Sequence, residues 1–197
     1  MYLKKLFTGI LLLSTLLSSN VFSAEETPDY NQILKEGAYE IRDYPPILVA
    51  QATGGNLFRT IADYIFGNNK LEQNISMTAP VQQKENQKIA MTAPVQQQLN
   101  GKSWRISFVM PSEYSFNSLP VPNDNRVRLK KILAKKFIVI EFSGTYSNEN
   151  VEEHENQLMN YIETNKINII SSPKYAFYNA PWTLPFLRRN EIMIEIN

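Results

Sequence analysis

Apolar positions along the chain fall into short alternating runs and two helical stripes. Tyr39-Glu-Ile-Arg-Asp-Tyr44 alternates with the period of a half-buried strand, Pro45-Pro46 interrupts it, and Ile47 to Ala52 resumes it. Gly54-Gly55 marks a turn. Asn56 stands where an N-cap belongs, ahead of Leu57, Phe58, Ile61, Ala62, Tyr64 and Ile65, which recur at helical spacing. Gly67 stops that helix. Trp104 to Met110 alternates strictly, with Trp104, Ile106, Phe108 and Met110 on one face, and Pro111 ends the run. After a polar link carrying Pro120 and Pro122, the order repeats. A strand begins at Val127 and Leu129, and another runs over Phe137–Phe142. Asn150 and Glu153 have capping-box spacing, and Val151, His154, Leu158, Tyr161 and Ile162 form a second helical stripe. Strands at Tyr175–Tyr178 and Glu191–Ile196 follow, the latter with Ile192, Ile194 and Ile196 on one side. Both halves read strand, helix, strand, strand. This predicts an α+β fold: a distorted antiparallel β-barrel built from two βαββ halves and flanked by two helices, with a cleft between helix and sheet.

Between the first helix and the Trp104 strand, one phrase is nearly written twice. Ile75-Ser-Met-Thr-Ala-Pro-Val-Gln-Gln83 is followed, after Lys84-Glu-Asn-Gln-Lys88, by Ile89-Ala-Met-Thr-Ala-Pro-Val-Gln-Gln97. Ile, Met and Ala alternate with small or hydroxyl residues, and Pro80 and Pro94 must end, bulge or edge a strand. The pattern predicts a hairpin with Ile75, Met77, Ile89 and Met91 on one apolar face. The pattern favours plain core for that face; the alternative is a wall of polarisable Met77 and Met91 against a flat apolar ligand.

The two ends of the chain are distinct. Lys4-Lys5, an apolar run over Leu6–Leu17 and a polar close at Val21-Phe-Ser-Ala24 have the form of a secretory signal peptide over residues 1–23, too short for a comfortable membrane span. Residues 24–38 are polar and predict an extended N-terminal arm, leaving 39–197 as one domain. An export leader places the protein in the periplasm or outside the cell, with no stable membrane insertion once cleaved. The chain has no cysteine, so lipoprotein anchoring and disulfides are excluded. Loss of Lys4 and Lys5 from the 20 Lys and Arg leaves 18 against 19 Asp and Glu, a near-neutral balance that argues against nucleic acid as partner.

The search for catalytic chemistry is mostly negative. Without cysteine there is no thiolate site, and a single histidine excludes a multi-histidine zinc site and H-E-x-x-H. Neither G-x-S-x-G nor a phosphate-binding glycine loop is present. These absences favour a binding protein over an enzyme. His154 has two readings: a partly buried histidine bonded to a carbonyl or carboxylate, or an axial ligand to haem iron. In Tyr178 to Glu191, Pro181 and Pro185 stiffen a loop able to lay Trp182 and Phe186 over a cavity mouth. Arg188 and Arg189 suit either ligand carboxylates or a lock on the closing strand.

Asp63-Tyr-Ile-Phe-Gly67, Ile89–Val95, Phe108-Val-Met-Pro111, Phe142-Ser-Gly144 and Arg188-Arg-Asn-Glu-Ile192, in this order and spacing, resemble the SOUL / haem-binding protein family over about residues 38–197. The resemblance implies a non-enzymatic protein that sequesters or carries haem or another tetrapyrrole in a hydrophobic groove beside the first helix, often without a firm axial ligand. By position the groove would use Phe58, Ala62 and Ile65, with Arg59 as propionate partner, and no metal-ligating residue. Asp63 stands where some relatives carry basic residues. The alternatives are a module for another flat amphipathic molecule, or a bilin-modifying enzyme.

Overall fold

A computed structural model describes residues 25–70 and 86–197. Its strands are β1 (Asn31–Glu36), β2 (Tyr39–Tyr44), β3 (Ile47–Thr53), β4 (Asn69–Lys70), β5 (Val95–Asn100), β6 (Ser103–Val109), β7 (Val121–Pro122), β8 (Arg128–Ile132), β9 (Lys135–Phe142), β10 (Lys174–Phe177) and β11 (Asn190–Ile196). The helices are α1 (Leu57–Ile65) and α2 (Asn148–Thr164). Nine strands form one curled antiparallel sheet in the order β1-β2-β9-β11-β10-β5-β6-β3-β8, and β4 pairs with β7. The α+β half-barrel with two helices is the architecture expected from the pattern.

Closure comes from two bent strands. Tyr39 lies opposite Ile140 and Tyr44 opposite Lys135. Beyond Pro45-Pro46 the register is unbroken, with Ile47 opposite Ile132 and Gln51 opposite Arg128. Thus β2–β3 and β8–β9 form one continuous ladder that bends where two prolines remove donors. At the bend each strand leaves one side of the sheet and joins the other.

The sheet's two faces differ in kind. On the convex face, α1 packs on Ala50, Ala52, Ile106 and Phe108, burying Ile61, Tyr64 and Ile65. The second helix buries Leu158 and Ile162 on Ile138, Ile140, Ile192 and Ile194. Each isoleucine fully removed from water contributes roughly 2 kcal/mol. The concave face holds a smaller cluster of Tyr44, Phe137, Val139, Ala176 and Met193, with Tyr30 and Tyr178 at its rim. Around the bend Ile47 and Val49 extend it, and the rest of the cavity wall on this face carries glutamines, Ser107 and charged side chains.

Several local expectations are corrected. Asn56 precedes α1 but sits in the left-handed region at φ 52° and makes no side-chain cap. The second helix starts before Asn150, capped by Ser147, whose hydroxyl accepts from the Asn150 amide at 3.4 Å. Asn150 instead donates to the Ser143 and Thr145 carbonyls at 3.1 and 2.9 Å. Gly144 (φ 109°) makes this possible, because a Cβ there would lie 2.7 Å from the Asn150 amide nitrogen. The second phrase copy is strand only at its end: residues 86–91 run as coil, Thr92 makes an isolated bridge to Glu26, and β5 begins at Val95. The first copy, with Ile75 and Met77, lies outside the described residues, as does the leader. Within the expected arm, Asn31–Glu36 joins the sheet as edge strand β1. The arm is also tied beside the phrase, with the Ala93 amide donating to the Glu26 carbonyl at 2.8 Å.

Candidate functional site

The sequence of α1 gives it a buried face and an exposed aromatic one. Thr60, Ile61, Tyr64 and Ile65 point into the core, while Phe58 is 49% and Phe66 60% exposed. Phe58, Ala62 and Phe66 stand four residues apart, so they form a single stripe about 12 Å long at 1.5 Å per residue. Ala62, nearly buried, makes a low floor between two phenyl walls. Phe58 is backed from below by Phe108, with ring centroids 5.5 Å apart. Arg59 lies beside the stripe with its side chain 84% exposed, approached among the described residues only by Asp63 at 4.0 Å. A flat apolar body with an anionic edge matches this combination of stripe and free guanidinium.

Of the six residues expected at the site, Phe58, Arg59 and Ala62 share this surface. Ile65 does not: it is 1% exposed and belongs to the core beneath. Met91 is partly buried against the same core cluster, and Met77 lies outside the described residues.

Asn69 is a residue the sequence reading missed. It is fully buried, donating to the Tyr64 and Gln87 carbonyls at 2.8 Å each and accepting from the Gln87 amide at 3.1 Å. It latches the end of α1 to the chain re-entering at Gln87. Tyr64 adds a second tie through its hydroxyl, which donates to the Pro120 carbonyl at 2.9 Å, and burial raises its pKa. Helix α1 is therefore a rigid platform.

The other candidates resolve as structural. His154 is half-buried, stacks on Phe142 with centroids 4.2 Å apart, and Nδ1 lies 2.7 Å from the Asn150 carbonyl. Arg188 donates to the Thr183 and Pro181 carbonyls, fixing the loop. Arg189 pairs with Glu191 at 2.6 Å and Glu141 at 3.2 Å. Trp182, 86% exposed, lines none of four described pockets, and Phe186 lines an open hollow beside His154. These four pockets also lie away from α1. The expected cleft against the sheet is present on α2's flank, between Val151, Glu155, Trp104 and Tyr175. Among the described residues no helix is long and apolar enough to cross a membrane.

The curled sheet with a helix on each half defines a duplicated βαββ domain. The model of the SOUL haem-binding protein family matches residues 25–195, and the chain belongs to that family. Its fold is similar to the EcmrR C-terminal domain (TM-score 0.57, 10% identity, covering 85% of this chain and 98% of that one). It is also similar to a hydrolase from Listeria innocua (TM-score 0.54, 12% identity, covering 84% and 94%). No curated protein matches the chain. At these identities the likeness is one of fold alone.

Proposed function

We propose that the protein is an exported, non-enzymatic carrier or scavenger of haem or a related tetrapyrrole, held on the exposed face of α1. The observation that carries this reading is the Phe58–Ala62–Phe66 stripe with Arg59 at its side. Burying a macrocycle against the two phenyl rings supplies most of the affinity, and Arg59 meets a propionate. The described face of α1 offers no histidine or methionine, so binding rests on the porphyrin ring more than on iron. Membership of a haem-binding family supports the same ligand class.

The test is a spectroscopic titration with ferric haem and, in parallel, iron-free protoporphyrin. Both are expected to saturate at one per chain with comparable affinity. Ala62→Glu should weaken both by about tenfold to a hundredfold, because it places a carboxylate under the ring. His154→Ala should leave both unchanged. Equal affinity in Ala62→Glu and wild type would remove the site from α1, and equal binding of an unrelated flat amphiphile would leave a less selective binding module. Export carries its own check. The protein recovered from the periplasm or medium of a bacterial host should begin at Ala24, and recovery only from cytosol with Met1 intact would refute it.

A further inference from the structure

The concave side of the sheet encloses a cavity of about 130 Å³. Strand register assembles its wall from distant parts of the chain. Met193 lies opposite Lys174, Lys174 opposite Gln98, and Gln98 opposite Arg105, so four strands contribute one row on the inner face. Gln96, Ser107 and Gln51 form the next row. Phe137, Ile47 and Val49 complete an apolar side, and Pro45 and Leu133 stand at the bend of the continuous ladder.

The charges in this cavity do not balance. Tyr44 faces it from β2 and Lys135 from β9, and Glu195, its one carboxylate, is already paired with Lys135. Arg105 is partly buried and has no acceptor or acidic partner among the described residues. Lys174 is likewise partly buried; its ammonium rests over the Phe137 ring, 4.8 Å from the centroid, and among the described residues it makes no salt bridge, feeling Glu195 only from a distance. Two cations beside apolar walls, with glutamine amides between them, are costly unless an anion joins them. A carboxylate can take the guanidinium fork and the ammonium together, and its carbon body would cover Phe137 and Met193.

We propose that this interior pocket is a second binding site, separate from α1, for a small amphipathic monocarboxylate held between Lys174 and Arg105. The volume corresponds to about four waters at ~30 Å³ each, which limits the ligand to a single ring or a short chain. Burial, with Lys135 and Arg105 nearby, lowers the Lys174 pKa to about 8. Its positive charge therefore persists at neutral pH and fades as pH rises past that value.

The test is calorimetric titration of the purified protein with benzoate, hexanoate, benzamide and inorganic phosphate. Benzoate and hexanoate are expected to bind saturably, with benzamide and phosphate at least about tenfold weaker. Lys174→Met and Arg105→Gln should each weaken benzoate by about tenfold or more while haem titration at α1 stays unchanged. Benzoate binding should also decline above about pH 8 in the wild type. Benzamide matching benzoate, phosphate matching or exceeding it, or undiminished benzoate binding in both variants would each overturn the proposal. So would the absence of saturable heat with either carboxylate. Because the haem surface lies across the sheet, failure of one site leaves the other standing.

Discussion

Replacing Glu191 by alanine is expected to cost about 3–5 kcal/mol of stability, a large part of the total for one domain. Glu191 is fully buried on β11 and bonded on both oxygens. Oε1 accepts from Arg42 Nη1 at 2.8 Å and from Arg189 Nη2 at 2.6 Å, and Oε2 accepts from the Tyr178 hydroxyl at 2.8 Å. Arg42 is itself 0% exposed, donating to Glu40 at 2.6 Å and lying 4.4 Å from the Tyr30 ring centroid. Burial, the largest single influence, works against its charge, but Glu191 and Tyr44 together outweigh it and raise its pKa. The network has little reserve: Arg42 Nη2 makes no hydrogen bond, and Glu141 is 3.8 Å from it. Removing Glu191 leaves Arg42 Nη1 without its carboxylate and the buried guanidinium on Glu40 alone at close range, which is the costly way to break such a pair. Denaturant unfolding at pH 7 measures the loss. In a double-mutant cycle with Arg42→Met, the pair should cost less than the sum of the single changes by about 1.5 kcal/mol or more. A single-variant loss below about 1 kcal/mol would mean that the network does not hold this end of the sheet.

Phe108→Ala is expected to cost a similar amount, about 3–5 kcal/mol, by a different route. The ring is 0% exposed, sits beneath α1 in the first cluster, and supports Phe58. Its loss leaves a cavity under the helix and takes the backing from one wall of the proposed tetrapyrrole surface. Tetrapyrrole affinity should therefore fall although Phe108 is buried. Ile140→Ala, under α2, is the control. It should cost about 2–5 kcal/mol as another emptied core position and leave tetrapyrrole binding intact. Equal effects of both variants on affinity would show that binding follows general stability and not the platform under Phe58.

Alternation made β2, β3, β6, β9 and β11 legible because each buries at least one face. The helices were legible from their stripes, and the repeated order gave the barrel. The edge strand β1 escaped because all six residues are exposed, so it is held by its ladder to β2 and carries no apolar period. At 89–95 the alternation misled. Ile89 is buried as coil, its amide donating to the Ile65 carbonyl at 2.9 Å, so the start of the phrase fills space under α1 and the ladder begins only at Val95. β5 hid behind glutamines that face the interior cavity. On α1, helical spacing correctly grouped Phe58 with Ala62 but also admitted Ile65. One residue's rotation about the axis separates surface from core there, and only the packed neighbours decide it. The Lys174–Gln98–Arg105 row had no linear signature, since its members meet only through register across three strands.

The pairing of the bent strands implies an assembly history. In each half the hairpin that follows the helix pairs with the second part of its own bent strand: β6 with β3, and β11 with β9. The first part of each bent strand crosses to the opposite half, β2 onto β9 and β8 onto β3, while β5 meets β10. This is the topology of a two-fold homodimer with the segment between β6 and β8 as its fusion joint. Any surface on a helix would occur twice in such a dimer. The interior cavity, bounded by both cross-half seams, lies on the pseudo-axis and would occur once. Fusion into one chain removes the first constraint, freeing α1 to keep an apolar outer stripe while α2 carries a charged one.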